Sequence, residues 1–509
     1  MAVPIPNPMP GRAWWQETLL VAVALLLSVA AFVAALQWGG AWSLLAWIAF
    51  APWFLLQRRL SPWLAAVLGG LFGLACVAPA LWDVFAAALI NQYGEGWRQR
   101  ALTLAVFTPH AAPWLLFGWL DARWLRGRAM PVVLRPLLQS GLLSTLICAM
   151  PAVFPFTPAL LLTPQLPMIQ LAELGGEALV LWLMLWPSAA LAQAWIAPEK
   201  WRGVLLPPLL CMALSAGYGL LRMPSIDAAA ASPDGVSLSA LPQQLDLPVN
   251  ASARNLLRGS GSALALARDG LAAAPRCELL VWPELPVPYP EQMRLCESLD
   301  QDVAMRMPVP WVRVCARQPE GAVDRIEARA ELHAADGALL AAHAKSGLIP
   351  GYERPLWGAG SIDTGDAGAV FGLDGRRQLI PAICYELHAR EHIRRSVFGG
   401  GNVIVHMASF APFSRQRIDR LDTAMAQLRA VEFRLPVLRS ANRGPVGWID
   451  ANGAVHDDGA RLGRGNPCID LRGPNAGPTP YAWLMPVADW LPAGLSLLLW
   501  LFVGWRRRC

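Results

Sequence analysis

The sequence predicts a multi-span α-helical membrane protein carrying an extracytoplasmic α/β domain, and three observations predict it. Hydrophobic residues make up 55% of the 509-residue chain and charged residues 15%, against roughly half and a quarter in soluble domains. Eight strongly apolar segments flank one long polar stretch, seven before it and one after. The arginines between those segments cluster at alternate connections, as in a chain that weaves through a bilayer.

The apolar segments run at 18–36, 41–56, 62–82, 101–120, 132–149, 177–196, 203–221 and 487–505. Several approach the roughly 20 residues a helix needs to cross about 30 Å of hydrocarbon. The second is short and the fourth contains Pro109, His110 and Pro113, so their limits are loose. The first lacks a small-residue cleavage site and is followed by further spans, which predicts a retained helix rather than a signal peptide. Arg12 precedes span one, and Arg58 and Arg59 lie between two and three. Arg123, Arg126 and Arg128 lie between four and five, Lys200 and Arg202 between six and seven, and Arg506, Arg507 and Arg508 follow span eight. All five clusters share one side if both termini are cytoplasmic. The opposite connections Gln37–Gly40 and Pro151–Gly176 hold no Lys or Arg; Arg98 and Arg100, beside Glu95, are the exception. The expected organisation is therefore a membrane domain of about seven helices over 1–225, an exterior domain over 226–484, and a closing helix with a cytoplasmic tail over 485–509. The net charge of +6 comes without a charged tail or an aromatic–basic pattern, which argues against a nucleic-acid partner.

Nine cysteines form no legible metal or disulfide framework. Cys76, Cys148 and Cys211 sit in apolar runs and read as small buried hydrophobes. Cys277, Cys296, Cys315, Cys384 and Cys468 fall in the polar stretch without a CxxC pairing, so no disulfide can be assigned among them. Nothing before Cys509 reads as a prenylation box.

The polar stretch alternates strands and helices. Strands are expected at 236–241, 278–282, 310–316, 326–334, 338–344, 378–383, 403–408 and 437–441. Helices are expected near 251–274, 289–304, 387–398 and 417–434. Asp450-Ala-Asn-Gly453 reads as a hairpin turn in which Asn-Gly supplies positive φ angles. Interleaving of this kind predicts a layered α/β domain.

Three segments within it carry candidate chemistry. Leu279-Leu-Val-Trp-Pro-Glu284 is a strand that ends on a carboxylate. Lys345-Ser-Gly-Leu-Ile-Pro-Gly-Tyr-Glu353 places a lysine at a strand end and a second carboxylate eight residues on. Leu379-Ile-Pro-Ala-Ile-Cys384-Tyr-Glu386 delivers a cysteine at the end of a hydrophobic strand, just before a helix. Strand ends are where α/β sheets bind ligands, and a helix N-terminus favours the thiolate. Taken singly each has a structural explanation: a packed cysteine, a first-turn glutamate, a surface lysine. The chain has very few lysines, however, and otherwise uses arginine; a task that needs a compact ammonium would explain Lys345.

The order Glu, Lys, Cys with these flanks resembles the carbon–nitrogen hydrolase (nitrilase) superfamily, and within it the apolipoprotein N-acyltransferases. Trp-Pro-Glu284, the Lys345 to Glu353 spacing around Ile349-Pro350, Ile383-Cys384-Tyr385-Glu386 and the run from Leu421 to Asn442 carry the likeness. The resemblance implies a nitrilase-type α-β-β-α sandwich held at the outer face of the bacterial inner membrane. It implies Glu284 as general base, Cys384 as the nucleophile that takes an acyl chain from phospholipid, and Lys345 as the oxyanion donor, helped by a backbone N–H near Tyr385. Glu353 and Glu386 would be supporting carboxylates that hold the lysine and shape the pocket, and the acceptor would be the N-terminal amine of a lipoprotein. No cofactor or metal is implied. The segment Met407-Ala-Ser-Phe-Ala-Pro-Phe413 departs from the family's Ser-Asn-Asp-Ala-Trp-Phe, and Val236–Gln244 matches only in part. These departures favour a second reading, a membrane-bound paralogue (amidase or acyltransferase) with another acceptor, such as a conjugal-transfer TraB-type protein. A transporter or scaffold with an inert domain is the third, and it leaves the retained Glu284, Lys345 and Cys384 unexplained. His388-Ala-Arg-Glu391-His392 fits a zinc-protease pattern but lacks a third ligand, Gly399–Gly401 lacks the residues of a phosphate loop, and His406 reads as a hydrogen-bonded core histidine.

Overall fold

The computed structural model describes residues 14–126, 130–247, 263–285, 292–294, 296–297, 300, 307–319, 321, 325–350, 353–354, 362–413, 415–456, 468–475 and 477–506. The chain divides into two compact units. One comprises Met1–Trp82, Leu104–Leu221 and Trp483–Cys509; the other comprises Asp83–Thr103 and Arg222–Ala482.

In the first unit all eight apolar segments fold as helix. By length and composition five helical stretches among the described residues can cross a membrane: Gly40–Gln57, Pro62–Ile90, Trp97–Leu125, Ala172–Ile196 and Pro198–Ala231. The helices Pro480–Ala488 and Leu491–Phe502, bent by 79°, make a sixth if taken as one span, while Ala22–Trp38 and Leu134–Ala149 are shorter apolar helices. Their outer surface is apolar: Trp63, Trp195 and Leu221 are each at least three-quarters exposed, a surface suited to lipid rather than water. Several buried polar groups pair with one another. Tyr218 donates to Glu173, Thr157 to Glu177, and the Trp47 indole to Gln165 Oε1 at 3.0 Å, because an unpaired polar group in hydrocarbon is costly. Small residues let helices touch; a Cβ on Gly118 would stand 2.3 Å from the Ala65 carbonyl oxygen.

The second unit contains two sheets. Its strands are β1 (Val236–Pro242), β2 (Gln244–Leu245), β3 (Leu279–Val281), β4 (Trp311–Arg317), β5 (Glu327–His333), β6 (Leu339–Ala344), β7 (Phe371–Gly372), β8 (Gln378–Ile383), β9 (Val403–Ser409), β10 (Val437–Asn442), β11 (Gly447–Ile449), β12 (Val455–His456) and β13 (Ile469–Gly473). The first sheet has the order β13-β1-β3-β4-β5-β6, and the second β12-β11-β10-β9-β8-β7 with β2 added beside β10. Parallel pairs β1–β3–β4 and β8–β9–β10 form the centres, and antiparallel strands close the edges. Val281, Val312 and Leu332 from the first sheet share one buried core with Leu379, Val405 and Leu438 from the second. The helix Ala263–Ala273 covers the first sheet through Ala267 and Leu271, which join Leu280 and Trp311 in a second core. Helices Arg390–Phe398 and Arg415–Phe433 pack on β8 and β11 of the second sheet. The result is an α-β-β-α sandwich, as expected. Strands buried on both faces read as continuous apolar runs; every residue of β9 is buried.

Local departures from expectation have physical causes. The helix expected over 387–398 is two pieces, a 3-10 turn at Cys384–His388 and an α-helix at Arg390–Phe398. Much of 251–274 and 289–304 lies outside the described residues. In the Asp450–Gly453 turn only Gly453 has positive φ (83°). Asp450 Oδ1 instead accepts the N–H groups of Asn452 and Ala454, both at 2.9 Å, an Asx turn that relieves Asn452 of the left-handed conformation. Two disulfides, neither assignable from spacing, join Cys277 to Cys468 and Cys296 to Cys315, with Cα separations of 5.8 and 5.9 Å.

Candidate active site

Strand ends from both sheets deliver the expected residues to one place. Glu284 follows β3 through Trp282, whose N–H continues the ladder to the Val312 carbonyl at 2.9 Å. Lys345 follows β6, its N–H bonded to the Ala328 carbonyl at 2.7 Å. Cys384 follows β8, whose last five residues are buried. Ser440 of β10 ties the two sheets together here: its hydroxyl lies 2.8 Å from the Gln243 carbonyl and 3.0 Å from that of Val281.

The Lys345 ammonium is fully buried and donates to Glu353 Oε1 at 2.6 Å, with Glu284 Oε1 at 3.7 Å. It is one of only two lysines in the chain. Glu353 is itself held by the Ile349 N–H on its other oxygen at 2.8 Å. Glu284 and Cys384 lie near enough for each to shift the other's protonation. Glu284, Lys345, Glu353 and Cys384 are thus gathered into one cluster, with Cys384 partly open to solvent and Tyr385 beside it half-buried.

Cys384 has φ of +48°. A non-glycine residue in this region carries roughly 1–3 kcal/mol of strain, and a sharp strand-to-helix turn of this kind lifts a nucleophile out of its sheet. Its electrostatics correct one sequence expectation. Burial pushes the thiol well up, the charges of Glu284, Glu353 and Asp422 add to this, and Lys345 only partly opposes them. The following 3-10 turn has five residues, too short for a dipole to reverse that balance. The resting group is therefore a thiol that needs a base. Burial likewise raises the Glu284 carboxyl, with Lys345 pulling it down and Glu353 pushing it up, the direction that suits a general base. The Tyr385 phenol is pushed up to about 12 by burial and by the Glu353 charge.

The two expected supporting carboxylates do different jobs. Glu353 holds the lysine. Glu386 instead braces the backbone: Oε1 accepts from His343 Nε2 at 2.9 Å, Ser346 N at 2.5 Å and Ser346 Oγ at 2.7 Å, while Oε2 accepts from Ile383 N at 2.9 Å. It thereby clamps the residue after Lys345 to the residue before Cys384. Burial alone would raise its carboxyl, but the His343 hydrogen bond, the nearby His392 and His343 rings and the Ile383 N–H hold it at about 2.

The zinc-like pattern dissolves in three dimensions. Glu391 pairs with Arg394 and Arg395, and His388 faces Asp422. His392 comes near His343 and Glu386, with ligand atoms within 4.8 Å of one another. Both its nitrogens are engaged, however: Nε2 donates to the Pro381 carbonyl at 2.7 Å and Nδ1 accepts from Gly368 N at 3.2 Å. Sequence reasoning did not foresee His343, Ser346, Asp422 or Arg439 near the cluster; no local pattern marks them, because their partners lie on other strands.

The carbon–nitrogen hydrolase family profile matches residues 189–469, more than half of the chain. The chain belongs to the carbon–nitrogen hydrolase family. Among curated relatives it is similar to apolipoprotein N-acyltransferases: 32% identical over 112 residues to that of Prochlorococcus marinus, covering 22% of each chain. Against that of Geobacter metallireducens it is 26% identical over 455 residues, covering 81% of this chain and 82% of the relative. The Prochlorococcus marinus and Allorhizobium ampelinum proteins are matched over only 22% and 39% of their own lengths. Solved structures that align include Saccharomyces cerevisiae Nit3 of the nitrilase superfamily (17% identity, 50% of this chain and 97% of that one, TM-score 0.38) and an amidase from Nesterenkonia (18%, 47% and 90%, TM-score 0.34).

Proposed function

We propose that this protein is a membrane-anchored acyltransferase that moves an acyl chain from a phospholipid to the N-terminal amine of a lipoprotein through a thioester on Cys384. The observation that carries this reading is the convergence of Glu284, Lys345 and Cys384 in a chain that also bears apolar helices able to cross a membrane. Glu284 takes the thiol proton as Sγ attacks the ester carbonyl of the lipid. Negative charge develops on the carbonyl oxygen and meets the Lys345 ammonium. The C–O bond breaks, the lysophospholipid leaves with the proton from Glu284, and the thioester remains. The acceptor amine then attacks the thioester, Glu284 removes the amine proton and returns it to the leaving sulfur, and an amide is formed.

Placing the α/β unit on the outer face of the inner membrane, with both termini in the cytoplasm, follows from the arginine distribution. It is supported by the two disulfides, which persist in oxidising compartments. The second reading, a paralogue with a different acceptor, is favoured by the altered Met407–Phe413 segment, which begins within β9 at Met407, paired with Ile383 next to Cys384.

A hydroxylamine-labile acyl adduct on Cys384, absent in Cys384→Ala, tests the enzyme reading; its absence from protein purified with its lipids counts against it. Rescue of lipoprotein N-acylation in cells depleted of that activity supports the first acceptor. A labelled thioester without rescue supports the second.

A further inference from the structure

We infer that His406 is a positioning residue for the nucleophile: its imidazole holds the Cys384 carbonyl, and with it the left-handed elbow that aims the thiol at Glu284. The inference rests on reading Cys384 as the nucleophile. His406 lies on β9, paired in register with Ala382 of β8, and its Nε2 is 3.0 Å from the Cys384 carbonyl oxygen. A carbonyl can only accept, so Nε2 carries the proton. The ring is buried, and burial keeps it below its ordinary value despite the nearby Asp422 charge, so the neutral Nε2–H form is the resting one.

Buried charged groups surround that ring. Asp422 lies behind it, with Oδ2 3.9 Å from His406 Nδ1 and Oδ1 3.6 Å from His388 Nε2. Arg439 pairs with Asp422, and its other nitrogen donates to Thr423 Oγ1 at 2.8 Å. Asp422 and Arg439 are both buried, so the carboxylate is matched by a cation rather than by water. A histidine serving only to fill the core could bond any strand carbonyl. This one bonds the carbonyl of the nucleophile itself, one of three non-glycine residues with positive φ among those described. Without that bond the Cys384 backbone is free to relax from φ +48°, which swings the thiol away from its base.

The test is the second-order rate of Cys384 alkylation by iodoacetamide, measured by peptide mass spectrometry on the full-length protein in detergent, from pH 6 to 9. The adduct must vanish in Cys384→Ala. His406→Gln keeps an N–H donor of similar reach and is expected within about threefold of wild type. His406→Asn, too short to reach, and His406→Leu, with no donor, are expected to react about tenfold or more slowly at neutral pH while still folding cooperatively. Wild-type rates and pH profile in folded His406→Asn or His406→Leu overturn the inference. So does a His406→Gln variant that is unfolded or as slow as His406→Leu. Glu284→Gln separates this from the underlying reading: wild-type alkylation in Glu284→Gln removes the base assignment, whereas slow Glu284→Gln with fast His406→Leu removes only the role of His406.

Discussion

Replacing Lys345 with methionine probes the site most directly, because an unbranched side chain of nearly the same length remains while the ammonium is lost. In the native cluster the ammonium lies 2.6 Å from Glu353 and 3.7 Å from Glu284. At an effective dielectric of about 20 these attractions are worth roughly 6 and 4 kcal/mol. Without the cation two carboxylates share one buried site, so at least one must take a proton, and a protonated Glu284 cannot accept the thiol proton. Loss of an oxyanion donor alone slows acyl chemistry by about 10²–10³-fold. Loss of the base contributes a further, non-additive share. Lys345→Met is therefore expected to acylate Cys384 at least about 10³-fold more slowly. Lys345→Arg should also be slow, since a planar guanidinium does not fit a sealed ammonium site. The assay is single-turnover formation of the Cys384 thioester from a p-nitrophenyl acyl ester, followed by intact-mass spectrometry, with thermal unfolding as a folding control. A folded Lys345→Met protein that acylates at more than a tenth of the wild-type rate would refute the assignment of Lys345.

Glu386→Gln puts an amide donor against the N–H of Ile383 or Ser346 and removes a buried charge that accepts four hydrogen bonds. It should cost about 3 kcal/mol, read as a fall of roughly 6–12 °C in the unfolding midpoint; an unchanged midpoint counts against the clamp. Acid should destabilise the α/β unit in a defined window. Burial lowers His388 from 6.5 to about 3 despite Asp422, and the histidine contacts of Glu386 hold it at about 2 against an ordinary 4.5. Both folded values lie below the unfolded ones, so their stabilisation is present above the ordinary values. It is lost as pH falls from about 6.5 to 3 for His388 and from about 4.5 to 2 for Glu386, by the order of 5 and 3 kcal/mol. Urea titrations at pH 7, 5 and 4 should show the midpoint falling at each step, and a flat profile would contradict these environments. The Cys277–Cys468 and Cys296–Cys315 bridges, separated by 191 and 19 residues, limit the unfolded chain by at most about 5 and 3 kcal/mol. Non-reducing peptide mapping should recover both linked pairs, and free thiols at these four positions in protein from an oxidising compartment would overturn the pairing.

Some of this was legible along the chain, because it depends on neighbours in sequence. Lipid-facing helices need long apolar runs, and doubly buried strands need short ones, so the eight apolar segments and β4, β5, β8, β9 and β10 could be read directly. Glu284, Lys345 and Cys384 stood out because each follows a strand end, where a layered sheet opens to ligands, and because their order and flanks resemble one family. The expectation of a helix-activated thiolate failed for a reason invisible in sequence: the turn after Cys384 is a short 3-10 piece, and the enclosing carboxylates outweigh it.

What required the folded chain was every interaction between residues far apart in sequence. Glu386 was expected to support the lysine, yet it spans from Ser346, next to Lys345, to Ile383, next to Cys384, linking the ends of strands from different sheets. The partners of each disulfide, the Asp422–Arg439 pair and the hydrogen bond from His406 to Cys384 were set the same way. Periodicity and hydropathy record which face of an element is buried, and in this protein that located the strand ends carrying Glu284, Lys345 and Cys384; the roles proposed for them came from the family resemblance of their flanks. How far each thiol and carboxyl is shifted depends on summed charge and solvent exclusion from several strands at once, and only the packed sandwich decided that.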